Sequence, residues 1–315
     1  MRKILLGLVV FSLCLAAGAT DFQLQAKPDG SVWLVGSLAH RSAVLKNPRG
    51  GSLETRHSST AGMAGVESVQ EGWSAGAALI YEDGKIRSDY GGAQSRVKSE
   101  SVGGAIYGSV YDPDGLYLKG ALYVGRNSQE LKDGSAMVGG APVSLRGAGK
   151  DKSLYLGASL EAGKRLELAN EVRLTPHLGV DFSRTPSADI PFSAGGVPAL
   201  ASWEGQTSLE PSLGVALAKD FEIEDWRLTP SLDLSAAVRL GGMKPGNLNT
   251  RPGFMAWDGQ DWRTLGAGAG RWGGRFAAGI KAVRAEKIEL DLKYSFEARE
   301  SYRDHRIGAV FGLSF

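Results

Sequence analysis

The 315-residue chain carries 36 Lys plus Arg against 34 Asp plus Glu, and its formal charge of +2 is accounted for by Arg2 and Lys3 alone. A neutral remainder gives no footing for a nucleic-acid partner, whose recognition depends on basic excess. Mean hydropathy is slightly polar at −0.14, which excludes a bundle of membrane helices but not a membrane β-barrel, whose inward-facing residues dilute the average.

In chain order, the first predicted element is a leader. "MRKILLGLVVFSLCLAAGA" has two basic residues, an apolar run from Ile4 to Leu15 and an Ala17-Gly18-Ala19 end. That order predicts a secretory signal peptide over 1–19, cleaved after Ala19; the apolar run is too short to span a bilayer. Cys14 is the one cysteine and lies inside this leader. The exported chain then has no disulfide, no cysteine metal site and no cysteine nucleophile. Leu13 stands where a lipid-anchor signal wants a small residue, so no lipid anchor is expected.

Behind the leader lies a short polar segment, 20–30 ("TDFQLQAKPDG"), and from 31 to 315 the pattern alternates with period two. Twelve segments carry it, near 32–44, 58–70, 73–86, 99–112, 115–127, 151–163, 171–183, 206–219, 225–239, 271–285, 287–299 and 305–315. In "KIELDLKYSFEAR" one face holds Ile288, Leu290, Leu292, Tyr294 and Phe296, and the other is charged almost throughout. Such a face cannot be dry and unpaired, so it meets water or opposite charge. Segments of this length suit tilted membrane strands. Their connections alternate: "QEG", "DPDG", "RLELANE", "FEIED" and "RAEK" are short, whereas 128–150, 184–205 and 240–270 are long and rich in Gly, Ser, Pro and charge. Short periplasmic turns and long external loops are the habit of outer-membrane barrels, so both termini are expected in the periplasm. Trp73, Phe221, Trp226 and Phe315 would form one aromatic girdle, and Tyr81, Phe182, Phe296 and Trp272 the other. The predicted fold is all-β: one closed transmembrane antiparallel barrel of about twelve strands, which leaves no sheet edge in lipid.

These residues resemble the translocator (β) domain of the autotransporter family. The resemblance runs from "SVWLVGSLAHRS" through "AGMAGVESVQEGWSAGAALIYEDGKI", "SVGGAIYGSVYDPDGLYLKGALYVGRN", "LTPHLGVDF" and "LTPSLDLSA" to "YSFEARESYRDHRIGAVFGLSF". It implies residence in the outer membrane, contact with its lipid and lipopolysaccharide, and delivery by the barrel-assembly machinery. The alternating end Phe315, Leu313 and Phe311 resembles the signal that machinery reads. The family's secreted passenger has no counterpart in segment 20–30: eleven helical residues would cover about half of a roughly 30 Å hydrocarbon layer. The expectation is therefore a monomeric surface or transport module with no passenger of its own, the alternative being a small porin-like diffusion channel.

Candidate sites are few. Arg227, Asp233, Arg239, Glu289, Asp291, Lys293, Glu297 and Arg299 are assigned to the lumen, with Arg173, Glu210, Arg275, Lys281 and Arg306 beside them. They are of mixed sign, which favours a cross-strand ladder over a charge-selective pore. Asp233, Glu289, Asp291 and Glu297 are expected to pair with Arg227, Arg239, Lys293 and Arg299. His177, Asp181 and Ser183 share one strand face and so point in parallel; a nucleophile and base must instead converge. No catalytic residue, no cofactor and no metal site is read, since the four histidines have no ligand spacing. Phe254, Trp257 and Trp262 in one long loop, and Arg41, Lys46, Arg49 and Arg56 in the first, are surface candidates for a partner and for lipopolysaccharide phosphates respectively.

Overall fold

The computed structural model describes residues 31–46, 52–90, 93–138, 141–185, 188–203, 205–241, 247–252, 264–265, 271–285, 287–300 and 302–314. Ala19, segment 20–30, Arg49, Phe254, Trp257, Trp262 and Phe315 lie outside these residues, as do the side chains of Arg41 and Lys46.

Twelve antiparallel strands form the wall. They are β1 (Ser31–Lys46), β2 (Ser52–Gln70), β3 (Trp73–Tyr90), β4 (Ala93–Tyr111), β5 (Leu116–Val138) and β6 (Asp151–Lys164). They continue as β7 (Val172–Thr185), β8 (Gln206–Lys219), β9 (Trp226–Val238), β10 (Trp272–Arg284), β11 (Ile288–Arg299) and β12 (Tyr302–Ser314). Each pairs with its sequence neighbours, and β12 closes on β1 from Ser31↔Ser314 to Ala43↔Tyr302. Closure gives every wall strand a partner on both edges, which is what hydrocarbon requires of a backbone.

All five tight links lie at one end, together with Ser31 and Ser314. In the β4–β5 turn, Gly115 sits at φ 84 and its N–H donates to the Asp112 carbonyl at 3.1 Å. The Asp112 carboxylate accepts from the Leu116 N–H at 2.9 Å. This local bonding fixes the register of the hairpin.

The opposite end differs from the sequence expectation. Residues 128–150 and 184–205, and part of 240–270, were expected to be loops. Instead β5 runs on to Val138 and returns through a strand at Ala141–Gly147; strands at Ala188–Ala194 and Val197–Trp203 follow, and Asn247–Pro252 pairs with the latter. Buried Leu131 and Phe192 pack with Val97, Leu145 and Ala194 as a small core of this collar. Strands of 19 to 23 residues exceed the roughly 9–11 a membrane strand needs. The excess extends past the length that lipid covers, so it lacks the sustained apolar alternation by which membrane strands are recognised. Likewise β12 starts at Tyr302, not 305, and the supposed link "ESYRDH" shrinks to residues 300–301.

Alternate residues face lipid and lumen as the period demands. Leu79 is 69 % exposed and its neighbour Ile80 is 2 % exposed. Trp73 and Phe221 are exposed at the tight-turn end, with Trp226 partly covered beside Arg284; Tyr81 and Trp272 are exposed toward the collar. The lumen is not uniformly wet. On the β2–β6 side Met63, Ala78, Ile80, Tyr107 and Tyr155 form a dry cluster. Tyr155 crosses Gly125 and Gly103 on the two neighbouring strands, where an added Cβ would strike its hydroxyl or ring. Glycine there lets a large ring lie flat across three strands.

Candidate functional site

The other half of the lumen, on β7–β12, is built from charge. Its centre is Glu210 of β8, 1 % exposed. Its carboxylate accepts from Arg239 Nε of β9 at 3.1 Å, and from the guanidiniums of Arg275 on β10 and Arg299 on β11. Arg299 Nε also donates to Glu297 at 2.5 Å. Arg275 lies 3.6 Å from Glu297 and 3.7 Å from Asp181 of β7. Three guanidiniums thus meet three carboxylates across five consecutive strands. Burial makes each charge costly alone, and mutual pairing removes most of that cost.

Local pairing explains the convergence. Glu210 stands opposite Asp181, and the Leu209↔Leu240 bridge brings Arg239 alongside; Arg275 stands opposite Glu297. Gly273, under the Arg299 side chain, has no Cβ to hold the guanidinium away. On β12, Asp304 is also 1 % exposed and accepts from Arg306 Nε at 2.8 Å.

A second group lies nearer the tight turns. His177 Nε2 is 3.0 Å from Asp233 and its Nδ1 is 3.9 Å from Glu161. His177 crosses the intervening strand over Gly214, where a Cβ would meet its ring at 2.5 Å. Glu161 is held by Lys119 Nζ at 2.9 Å and the Tyr117 hydroxyl at 2.7 Å. Lys281 pairs with Glu289 at 3.0 Å, and Asp291 and Lys293 line the same cavity of about 50 Å³ with His177 and Asp233. At the mouth, the Asp220 carboxylate accepts from the Arg173 guanidinium at 2.8 Å and from the Thr229 hydroxyl at 2.6 Å. Partial burial raises the Asp220 carboxyl, but the Arg173 guanidinium and Thr229 hydroxyl prevail and hold it below the usual carboxylate range.

Of the residues assigned to the lumen, Arg239, Glu297 and Arg299 are buried and Asp233, Glu289, Asp291 and Lys293 half-buried, and their partners differ from those expected. Glu297 meets Arg299, whereas Asp233 is taken by His177, Glu289 by Lys281 and Arg239 by Glu210. Arg227 sits exposed at the mouth, where its charge acts on Asp220. Lys119, Glu161, Asp220 and Asp304 were not singled out; the first two lay on the polar faces of alternating strands, and Asp304 was taken for a link residue. Ser183 bonds to Ser208 at 2.7 Å, and His177 to the Asp233 carboxylate at 3.0 Å. The arrangement bridges strands and fills the lumen.

The chain matches the family described as "Autotransporter beta-domain" over residues 32–295. It is 27% identical over 246 residues to the Autotransporter CRAC of Citrobacter rodentium, covering 76% of this chain and 14% of that protein. The chain spans about a seventh of the length of the curated relatives it matches. Among solved structures, the beta domain of the Bordetella autotransporter Brka superposes with a TM-score of 0.65 at 16% identity, covering 91% of this chain and 100% of that one. The transport unit of the autotransporter AIDA-I from Escherichia coli gives 0.67 at 12% identity, covering 96% and 94%.

Proposed function

The chain belongs to the autotransporter β-domain family and is a translocator barrel of the outer membrane, and on that footing we propose that it serves as a membrane anchor and translocation unit whose lumen is closed at rest. The observation that carries this is the buried Glu210 cluster on one wall, with the tyrosine-lined packing on the other beside it as a second dry region. Side chains decide whether a barrel of this size passes water. Balanced, mutually paired charges hold a lumen shut better than they select ions. His177, bonded to Asp233 with Glu161 at 3.9 Å, supports a structural role in place of a catalytic one.

The tight turns, with the start of β1 and the end of β12 beside them, face the periplasm in this reading, and the collar stands outside. The support is the alternation of connections, since only the external side of such a barrel has room for tall hairpins. Lipid and lipopolysaccharide surround a single copy. The test is planar-bilayer recording of refolded protein, with and without residues 20–30. The intact chain should show little steady conductance. Large, stable, ion-selective openings from it would favour the porin-like reading, and openings only after removal of 20–30 would identify that segment as a plug.

The end of the chain is proposed as an address for the assembly machinery. Phe311 is exposed on the lipid face of β12 and Leu313 follows on the same face. One interfacial aromatic contributes only a few kcal/mol, about 1.5–3. Deleting Phe315 should therefore lower folded barrel in cells much more than it lowers the stability of barrel refolded in vitro. Unchanged cellular yield, measured by heat-modifiable gel migration, would show that the end is not read.

A further inference from the structure

The lipid face of β8–β11 is not smooth. A groove of about 670 Å³ runs across it, lined almost entirely by carbon. Leu213, Ala236, Gly274 and Ala298 stand opposite one another in successive strands, and the last of them faces Arg303 of β12. One step toward the tight turns, the parallel row is Val215, Leu234, Phe276, Phe296 and His305. Phe296 and His305 stack at 4.8 Å, and the His305 ring is tied to the Tyr294 hydroxyl at 2.9 Å. Small residues therefore make a floor, large side chains make one wall, and exposed Trp272 stands toward the collar.

The floor's own row changes chemistry as it continues round the barrel. After Arg303 come Ser42, Arg56, Arg87 and Arg96 on consecutive strands. Arg56 and Arg96 are neutralised by Glu54 and Asp133. Arg303 and Arg87 are exposed, and among the described residues no carboxylate pairs with either. An apolar channel that leads to open guanidiniums matches an amphiphile with an acyl chain and a phosphate. A chain laid on the floor gains the contacts that the missing side chains leave open.

We propose that this groove is a retained-lipid site for lipopolysaccharide of the outer leaflet, with one acyl chain over Gly274 and a phosphate on Arg303, Arg87 lying further along the same row. The choice of leaflet rests on the orientation proposed above, because the row lies at the collar side of the apolar band.

Two variants test the site without disturbing the barrel. A Cβ at Gly274 meets nothing within 4 Å, so Gly274→Leu fills the groove and leaves the wall intact. Arg303→Gln removes the phosphate contact. Lipopolysaccharide retained per barrel, read by native mass spectrometry from mild detergent, should fall about tenfold in each variant, the scale of one charge-assisted contact. Gel migration of the folded form should not change. Equal retention in wild type and both variants would overturn the site. Retention of a glycerophospholipid, lost in both variants, would overturn the proposed occupant. Orientation is read separately by maleimide labelling of Lys132→Cys on intact cells, a probe with no thiol competitor beyond the leader's Cys14. Labelling with equal retention would leave the orientation standing and sink the groove alone.

Discussion

Replacing Glu210 by alanine should destabilise the barrel more than any other single lumenal change. Glu210 is the shared acceptor of Arg239, Arg275 and Arg299. Its loss leaves three buried guanidiniums beside Glu297 and Asp181, an excess of positive charge in a buried site. Breaking a buried pair from one side costs about 3–5 kcal/mol. The measurement is urea unfolding of refolded protein, read by the heat-modifiable gel shift, with bilayer recording in parallel. The expected outcome is a lower midpoint together with new conductance, as repelling arginines part. Glu210→Gln keeps the shape and loses the charge, and should fall between. Adding Arg275→Met to Glu210→Gln should recover part of the loss, because neighbours in one network are not additive. A midpoint and a conductance both unchanged in Glu210→Ala would show that the cluster neither holds nor closes the lumen.

The second large effect is expected on the opposite face. Leu292 is 54 % exposed on β11, two alternations from the tight-turn end of that strand. In the bilayer this exposure is burial in hydrocarbon. Leu292→Arg should therefore cost about 2–4 kcal/mol in lipid, and Ile223→Arg, at the mouth, only about 0–1. The contrast is read from unfolding midpoints in vesicles, with Leu292→Met as the control for lost volume. Equal effects of arginine at the two depths would contradict the placement of the apolar band. The outward leucines Leu79, Leu122, Leu154, Leu178 and Leu213 tell the same story, since each would be an unexplained exposed hydrophobe in water.

Much of this molecule is written locally. Alternation is a property of neighbouring residues, so a wall strand and its two faces are legible from a segment such as "KIELDLKYSFEAR" or "RIGAVFGLSF" alone. The tight links are equally local, because Asp112 and Gly115 set their turn within five residues. What the sequence could not mark was any strand standing in water on both faces. The collar strands 141–147, 188–194 and 197–203 are short and interrupted by Pro142, Pro191 and Pro198, and pairing with one another, with β5 and with 247–252 makes them strands.

Partnership within the lumen was decided by tertiary structure alone. The faces named Glu210, Asp233, Arg239 and Arg299 as lumenal, but Glu210 and Arg299 are 89 positions apart. Whether they meet depends on the stagger of every strand between them and on closure of β12 against β1. One residue of slip would turn each of those side chains toward lipid. His177 reaches Asp233 only because Gly214 on the strand between them has no side chain. The lipid-facing groove has the same origin: Ala236, Gly274 and Ala298 are unremarkable one by one, and become a floor because hydrogen-bonded register sets them side by side. Period two fixes which way a residue points, and register, a sum over the whole closed sheet, fixes what it points at.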